Sequence, residues 1–244
     1  MSGALCLTRV RIHDGTRMLV DTLDLTIVPG ECATVMGPRG SGKSALLAWI
    51  AGTLDPGFRV RGRVSIGGDE IATLPIHRRR IGVQFADDLL FPQLTVAGNL
   101  MFALPPAIRG RVARRAMAEK MLRDARVGGG HEDLADRHPE GLSPLQRGNI
   151  ALLRTLAAEP RALLLDDPFG KLDPQDRSEL RRFAFDHAGM RELPMLLATR
   201  DAADARAAGG PVVVLPGDGG APVSLPVPAA ADAAAEPRWR VRRA

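Results

Sequence analysis

The sequence predicts an α/β protein in which a mainly parallel sheet is flanked by helices. Short apolar runs alternate with helix-like stretches: "CATVM" precedes "SALLAWIAG", and "RALLLDD" and "LPMLLATRD" lie on either side of the helix-like segment 175–188. Such alternation is typical of parallel strands joined by crossover helices. In sheets of this kind, ligand-binding groups gather at the carboxyl ends of the strands.

Further elements are predicted by hydrophobic periodicity. Residues 5–12 and 18–28 alternate apolar and polar side chains, as half-buried strands do, and 60–66 read as another strand. Apolar residues recur with helical spacing between Arg111 and Val127, which predicts an amphipathic helix. The apolar run "PVVVL", residues 211–215, predicts a last strand.

Composition is that of a soluble globular protein and argues against a nucleic-acid partner. The 244 residues are 45% hydrophobic and 25% charged, and no apolar run approaches the roughly 18 to 20 residues that a bilayer span requires. A net charge of +5 suggests nucleic-acid binding. However, only three of the 33 basic residues are lysines, and aromatic residues, on which bases stack, make up 4%. We therefore expect a cytoplasmic protein that binds no nucleic acid.

The stretch "GPRGSGKS" predicts a phosphate-binding loop. It fits the pattern G-x-x-x-x-G-K-[ST] and lies between a predicted strand and a predicted helix. Glycines let successive backbone N–H groups turn toward phosphate oxygens, and the helix N-terminus adds its positive end. Lys43 can reach the β- and γ-phosphates, and the Ser44 hydroxyl can bind magnesium. The residues predicted to bind ATP are Gly37, Pro38, Arg39, Gly40, Ser41, Gly42, Lys43, Ser44 and Ala45.

Two aspartates follow the apolar run in "ALLLDD". Asp166 ends the predicted strand beside the phosphate loop, where it can hold Mg²⁺ through water together with Ser44. Asp167 then stands where a general base for the attacking water is expected. These residues predict a metal-assisted phosphoryl-transfer site.

The order of the motifs resembles that of the ATP-binding subunits of ABC transporters. The phosphate loop is followed by "LS..Q", then by "LLLDDPF..LD" and "TRD", over about residues 5 to 215. The pattern is most similar to single-cassette importers of the thiamine, iron and related small-solute group. The resemblance implies a P-loop NTPase core with an antiparallel β subdomain and, at about 87–155, an inserted helical subdomain. It thus implies an ATP-binding domain at 1–225, while the composition of residues 226–244 predicts a flexible tail.

The resemblance also implies partners. In that family two subunits enclose two ATP molecules with Mg²⁺, and each signature helix contacts the nucleotide of the opposite subunit, which here implies Ser143 and Gln146. The apolar residues 88–105 are expected to be core and also a groove that receives a short helix of the transmembrane permease subunits. An extracytoplasmic solute-binding protein completes such systems. The protein is therefore expected at the cytoplasmic face of the inner membrane, beside a second ATP-binding subunit that is either identical or different.

The signature departs from the family pattern LSGGQ. It reads Leu142-Ser143-Pro144-Leu145-Gln146. Ser143 is a good N-cap and Pro144 suits the first helical position, but proline lacks the N–H that a phosphate could use. Leu145 is expected to place a side chain where glycine would let the γ-phosphate approach. The sequence therefore predicts an intact helix with a weaker hold on phosphate.

The catalytic positions depart as well. Asp167 replaces the family's glutamate and is one methylene shorter. Arg200 replaces the switch histidine. A guanidinium stays protonated near neutral pH, so Arg200 cannot shuttle protons, although it can place positive charge on the γ-phosphate. Ala86 replaces the glutamine of "FQD". The aromatic residue that stacks on adenine aligns near Asp14, and the adjacent His13 is either its substitute or a solvated loop residue.

Three functions fit these residues to different degrees. The first is an ATPase that energises an importer, and the second is a cassette that binds ATP but hydrolyses it slowly or not at all. A soluble cassette protein acting on ribosomes or DNA is the weakest, because such families usually carry two cassettes or long insertions. The departures predict ATP turnover at least ~10-fold below that of an intact cassette.

Overall fold

The fold is built from two sheets and a set of surrounding helices. The computed structural model describes residues 3–127 and 134–225, so the predicted tail at 226–244 lies outside the described residues. Within those ranges the strands divide into a six-stranded and a four-stranded sheet. None of the described helices is long and apolar enough to cross a membrane.

The larger sheet is mainly parallel and has the strand order β10-β9-β3-β8-β7-β6. Its strands are β3 (Cys32–Met36), β6 (Ile81–Phe85), β7 (Ala162–Asp166), β8 (Met195–Thr199), β9 (Val212–Val214) and β10 (Val223–Leu225). Only the edge strand β10 pairs antiparallel in this described sheet. Strands β7 and β8 are buried almost throughout, as expected where helices cover a parallel sheet.

The smaller sheet is antiparallel and has the order β2-β1-β4-β5. Its strands are β1 (Leu5–His13), β2 (Met18–Ile27), β4 (Arg59–Ile66) and β5 (Asp69–Glu70). Buried and exposed residues alternate along much of β2, because one sheet face packs on the core and the other meets water. The predicted α/β fold with a parallel core sheet and an antiparallel sheet is confirmed.

Seven α-helices and one short 3-10 helix (Pro139–Gly141) are described in residues 3–127 and 134–225. The α-helices are α1 (Lys43–Ala51), α2 (Ile76–Arg79), α3 (Val96–Ala103), α4 (Arg111–Ala125), α5 (Pro144–Ala157), α6 (Pro174–Gly189) and α7 (Ala202–Ala208). Along the chain, helices α3, α4 and α5 come after β6 and before β7, where the resemblance implies the helical subdomain.

Alternate residues of the parallel strands face two different apolar clusters. Leu164 and Leu196 pack with α1 and the antiparallel sheet, whereas Leu163 and Leu197 pack with α5 and α6. A third cluster joins α3, α4 and α5 around the fully buried Ile150. Helix α5 contributes to both the second and the third cluster, so it links the helical segment to the parallel sheet.

A buried ion network fixes α6 and α7 beside β8. Asp204 is 0% exposed, and its carboxylate accepts hydrogen bonds from Arg177, Arg181 and Thr199. The Arg177 Nη2 to Asp204 Oδ2 distance is 2.6 Å. Thr199 is the last residue of β8, so this network holds the chain where Arg200 begins the next loop.

Replacing Asp204 by alanine is expected to destabilise the protein by about 3 kcal/mol, because two arginines lose their buried counter-charge. Urea unfolding monitored by circular dichroism measures the change. The matched control is Asp124→Ala, which removes one partner of the exposed Lys120–Asp124 pair on α4 and should cost about 0.5 kcal/mol or less. Equal losses in the two variants would show that the network contributes no more than a surface pair.

A second prediction concerns acid stability. Burial, and then Arg191, lower the pKa of His187 from 6.5 to about 4. Between those pH values the unfolded chain takes up a proton that the folded chain does not bind, so acidification favours unfolding. From pH 7 to 4, wild type should lose about 1 to 2 kcal/mol more stability than His187→Gln, less than the full shift because part of the ring meets water. Parallel pH profiles of urea unfolding for the two proteins would contradict this.

Candidate nucleotide and magnesium site

The phosphate loop lies between β3 and α1 and depends on glycine at its start. Gly37 has φ +148°, and a Cβ there would lie 2.4 Å from the Leu215 carbonyl oxygen. A side chain at position 37 is therefore excluded by backbone. Gly42 has φ +98° and is the N-cap of α1, so the chain enters the helix through the left-handed region that favours glycine. The loop and the first turn of α1 thus present backbone N–H groups at a helix N-terminus, where anions bind.

Lys43 folds back over the loop. Its ammonium donates to the carbonyl oxygens of Gly37 and Pro38 at 2.7 and 2.8 Å and to the Ser41 hydroxyl at 3.3 Å. An ammonium has three donors, so these contacts use all of them and stabilise the loop. Burial, followed by the nearby charge of Arg200, lowers the pKa of Lys43. The positive charge of Arg200, the residue predicted to replace the switch histidine, therefore acts on Lys43.

Ser44 and Asp166 meet across the sheet. The Ser44 hydroxyl in the first turn of α1 donates to Asp166 Oδ1 at 3.1 Å, although β8 lies between β7, which ends at Asp166, and β3, which precedes the phosphate loop. Burial is the main cause that raises the pKa of Asp166, and the Ser44 hydrogen bond opposes it. A hydroxyl and one carboxylate suit Mg²⁺, which commonly takes its remaining ligands from water and substrate phosphates. Among the described residues no group of three or more His, Cys, Asp or Glu forms an all-protein metal site.

Asp167 and Arg200 form an ion pair at the same edge. The Arg200 Nη2 to Asp167 Oδ2 distance is 3.6 Å. Asp167 has φ +47°, a left-handed conformation that aspartate tolerates better than most residues. A Cβ at Gly170 would lie 3.0 Å from either carboxylate oxygen of Asp167, so the aspartate leans over that glycine. The two predicted catalytic residues are therefore neighbours, and each holds the other.

The signature helix α5 begins as the sequence predicts. The Ser143 hydroxyl accepts from the Gln146 backbone N–H at 3.1 Å, and Gln146 Oε1 accepts from the Ser143 N–H at 2.9 Å. This reciprocal capping box satisfies two donors at the helix start. A hydroxyl that accepts one hydrogen bond can still donate its own hydrogen. Ser143 is exposed, so that hydrogen can reach a molecule outside the subunit.

Leu145, near the start of α5, makes apolar contacts within the subunit, and its predicted obstruction of the γ-phosphate stays a prediction. Its side chain is partly buried and packs on the apolar cluster of α5, α6 and the parallel sheet. Position 145 is the second residue of α5, and its apolar side chain gains more from facing α6 than from facing water. The preceding residue, Pro144, is exposed at the first helical position.

Two further expected sites can be located. Gln84 is buried and its amide donates to the adjacent Phe85 carbonyl oxygen, so it does not take the place of the glutamine missing at Ala86. His13 ends β1, and its Nδ1 accepts from the Gly15 N–H at 2.9 Å. The imidazole is thus part of the turn after β1.

The segment 88–105 exposes large apolar side chains. Phe102 is 68% exposed and Leu89 57% exposed, and Phe102 contacts the ring of Phe91 edge-on with centroids 4.8 Å apart. The buried Asn99 holds this segment together, because its amide donates to the Phe91, Leu94 and Thr95 carbonyls. Some residues of the segment therefore belong to the core and others form an apolar surface. Both features are needed if the segment is to be core and also a groove for a permease helix.

Comparison with known proteins identifies the fold family. The family model described as ABC transporter matches residues 20–170, which is more than half of the chain. The chain belongs to the ABC transporter family. The prediction of an ATP-binding subunit with a P-loop NTPase core is thereby confirmed.

Three similar proteins are themselves named as ABC or import ATP-binding proteins. The uncharacterised ABC transporter ATP-binding protein YnjD of Escherichia coli K12 is 36% identical over 82% of this chain and 90% of its own length. The sulfate/thiosulfate import ATP-binding protein CysA 2 of Shewanella oneidensis is 39% identical over 72% of this chain. The putative 2-aminoethylphosphonate import ATP-binding protein PhnT of Salmonella paratyphi A is 33% identical over 84%. The chain spans about half the length of these two import proteins, 49% and 54%.

The sequence does not single out two arginines that the structure places at functional segments. Arg17 donates to the carbonyls of Gly40 and Gly217, which ties the phosphate loop to the β1–β2 turn. Arg154 donates to the Leu89 carbonyl and lies 5.4 Å from the centre of the Phe91 ring. Neither arginine stands in a pattern that distinguishes it from the many others in the chain. Their contacts depend on tertiary structure.

Lys43→Ala is expected to reduce ATP binding below detection, because it removes the only ammonium that holds the described phosphate loop and can reach the phosphates. Isothermal calorimetry with Mg-ATP measures this. The control is Lys120→Ala, which removes an exposed lysine on α4 and should bind as wild type does. Equal ATP affinity in wild type and Lys43→Ala would contradict the assignment of the loop.

Proposed function

We propose that this chain is the ATPase subunit of a small-solute importer and that it turns over ATP slowly. The contact between the Ser44 hydroxyl and Asp166 at 3.1 Å, beside the Lys43 ammonium, is the main support. It brings a hydroxyl, a carboxylate and a cation to the loop that the sequence predicts for phosphate. Mg²⁺ bound at Ser44 and Asp166 would neutralise charge on the phosphate oxygens.

In this proposal Asp167 is the general base and Arg200 supplies positive charge. Asp167 follows the magnesium aspartate directly, and its carboxylate oxygen lies 3.6 Å from an Arg200 nitrogen. An arginine in this position keeps its proton, so it can stabilise negative charge but cannot relay a proton. Ser143 and Gln146 start the helix that faces the nucleotide of a second subunit.

Several features support slow turnover. The proposed base, Asp167, is one methylene shorter than glutamate, and its carboxylate already contacts Arg200, which competes with the attacking water. Ala86 cannot orient a water molecule. Pro144 removes one donor at the start of α5 and exposes its ring there.

A second candidate is a subunit that binds ATP without hydrolysing it. The Asp167–Arg200 ion pair is the observation that favours it, because the Arg200 guanidinium competes with the attacking water for the Asp167 carboxylate. In this case the two ATP-binding subunits would close when ATP binds to this chain and open only when that ATP dissociates. The partner subunit would perform the hydrolysis. Turnover measurements separate the two candidates.

The proposed partners follow from the apolar surface and from the family. Leu89 and Phe102 lie in a segment that we propose receives a helix of the transmembrane permease, which would place the chain at the cytoplasmic face of the inner membrane. The second ATP-binding subunit is either another copy or a different chain. We propose that an extracytoplasmic binding protein supplies the solute, a small molecule. Relatives named for sulfate and 2-aminoethylphosphonate import support this size class.

Restoring the family residues is expected to raise ATP turnover at least ~10-fold, because general acid–base catalysis alone typically contributes ~10²- to 10⁴-fold. The five changes are Ala86→Gln, Pro144→Gly, Leu145→Gly, Asp167→Glu and Arg200→His. Phosphate release is measured over a range of protein concentrations, since two subunits must meet. The combined variant should gain more than the single variants together, since residues acting as a unit are non-additive.

Two measurements control this experiment. Lys43→Ala in both backgrounds gives the rate that does not depend on the phosphate loop. ATP affinity measured in parallel separates binding from hydrolysis, and unfolding curves check that the two new glycines leave α5 folded. If the unmodified chain is as fast as the five-site variant, the slow-turnover proposal fails and Arg200 supplies what the absent groups do not.

A further inference from the structure

Phe58 lies next to the position where the sequence lacks an aromatic residue. In the antiparallel pair of β1 and β4, His13 is registered with Arg59. Asp14 therefore leaves β1 at the same end where Phe58 enters β4. The turns that carry them are close, because a Cβ at Gly15 would lie 3.8 Å from the Gly57 carbonyl oxygen.

Phe58 also borders the phosphate loop. A recess of about 270 Å³ opens beside the start of α1, and its lining includes Asp14, Arg17, Leu19, Lys43, Ser44 and Phe58. We call it the base recess. Among these lining residues Phe58 alone is aromatic. Its lining extends from Lys43 and Ser44 to Leu19 of β2, Asp14 and Phe58, so it joins the phosphate loop to the antiparallel sheet.

The Phe58 ring is held in place without being enclosed. It packs partly against the apolar cluster of α1 and the antiparallel sheet, and the residue keeps intermediate exposure. The turn before it is fixed by hydrogen bonds: the Phe58 N–H donates to the Asp55 carbonyl at 3.1 Å, and the Gly57 N–H donates to the Asp55 carboxylate at 2.8 Å. A ring supported on one side and open on the other is suited to stacking.

The neighbouring polar side chains of the recess are engaged elsewhere. The Asp14 carboxylate accepts from the Thr16 and Arg17 backbone N–H groups and from the Thr16 hydroxyl, which caps its own turn. The Arg17 guanidinium donates to the Gly40 and Gly217 carbonyls. His13 accepts from Gly15 and does not line the recess. Phe58 is thus the aromatic side chain that offers the base a face on which to stack.

We propose that the base of the bound nucleotide stacks on Phe58, which supplies from the start of β4 the aromatic surface that position 14 lacks. This rests on the proposed function, in which the phosphate loop holds ATP. Base–aromatic stacking tolerates any base because every base has a π-face. Phe58 therefore sets the affinity for nucleotides over simple polyphosphates rather than the choice between adenine and guanine.

The test compares a ligand that has a base with one that has none. Calorimetry of the full chain with Mg²⁺ measures the dissociation constants of ATP and of inorganic tripolyphosphate for wild type, Phe58→Ala, Phe58→Leu and Phe58→Trp. Phe58→Leu keeps an apolar side chain against the core, so it preserves folding while it removes the ring. Ile76→Ala, an exposed apolar residue at the start of α2, is the control.

The alanine and leucine variants should bind ATP about 5- to 150-fold more weakly, with tripolyphosphate affinity unchanged, whereas the tryptophan variant and the control should match wild type. Wild-type ATP affinity in Phe58→Leu overturns the inference. So does an equal weakening of ATP and tripolyphosphate, which would mean that Phe58 only shapes the phosphate loop. A failure of the proposed function would give different results. Wild type would bind neither ATP nor tripolyphosphate, or Lys43→Ala would bind both ligands as wild type does.

Discussion

The in-register parallel pairing of β3, β8 and β7 positions the phosphate loop, the two aspartates and Arg200 of the site. Met36 pairs with Thr199, and Asp166 pairs with Ala198, so the three strands end at the same level of one sheet edge. The loops that follow them therefore start side by side. A one-residue slip in β7 would turn Asp166 to the opposite face of the sheet and separate it from Ser44. The apolar residues on both faces of these strands oppose such a slip, because each face is buried against a different cluster.

Charge at this edge is concentrated and partly dehydrated. Burial is the first cause that lowers the pKa of Lys43 and that raises the pKa of Asp166, so each charged form depends on its neighbours. Arg200 adds a second cation within reach of Lys43, and Asp167 a second anion within reach of Asp166. Two cations and two carboxylates thus lie together where the loop, β7 and β8 end. The negative phosphate groups of a nucleotide can face the two cations, and Mg²⁺ can face the two carboxylates. The arrangement therefore suits a nucleotide with Mg²⁺ more than an apolar ligand.

Helix α5 joins the signature end to the apolar surface of residues 88–105. Its first residues form the capping box, and Arg147 in its second turn pairs with Asp88 at 3.0 Å. Farther along, Arg154 holds the Leu89 carbonyl and lies over Phe91. Burial lowers the pKa of Arg154, but Asp88 opposes that effect. One rigid helix therefore carries both the exposed Ser143 and the residues that fix the segment we propose for permease docking.

The sequence by itself determined the features that depend on neighbours along the chain. The glycine and lysine spacing of the phosphate loop, the strand before it and the reciprocal cap of Ser143 and Gln146 follow from local backbone geometry and hydrogen bonding. The parallel sheet could be predicted because its strands are continuous apolar runs, which are typical of strands buried on both faces.

Only the tertiary structure decided the features that depend on strand register and side-chain packing. It packed part of the Leu145 side chain against the cluster of α5, α6 and the parallel sheet, and it paired Asp167 with Arg200 through the ends of β7 and β8. It also brought Phe58 beside Asp14, because β1 and β4 pair antiparallel across a long stretch of intervening chain. Packing free energy between residues far apart in sequence selects such contacts, and no local pattern encodes it.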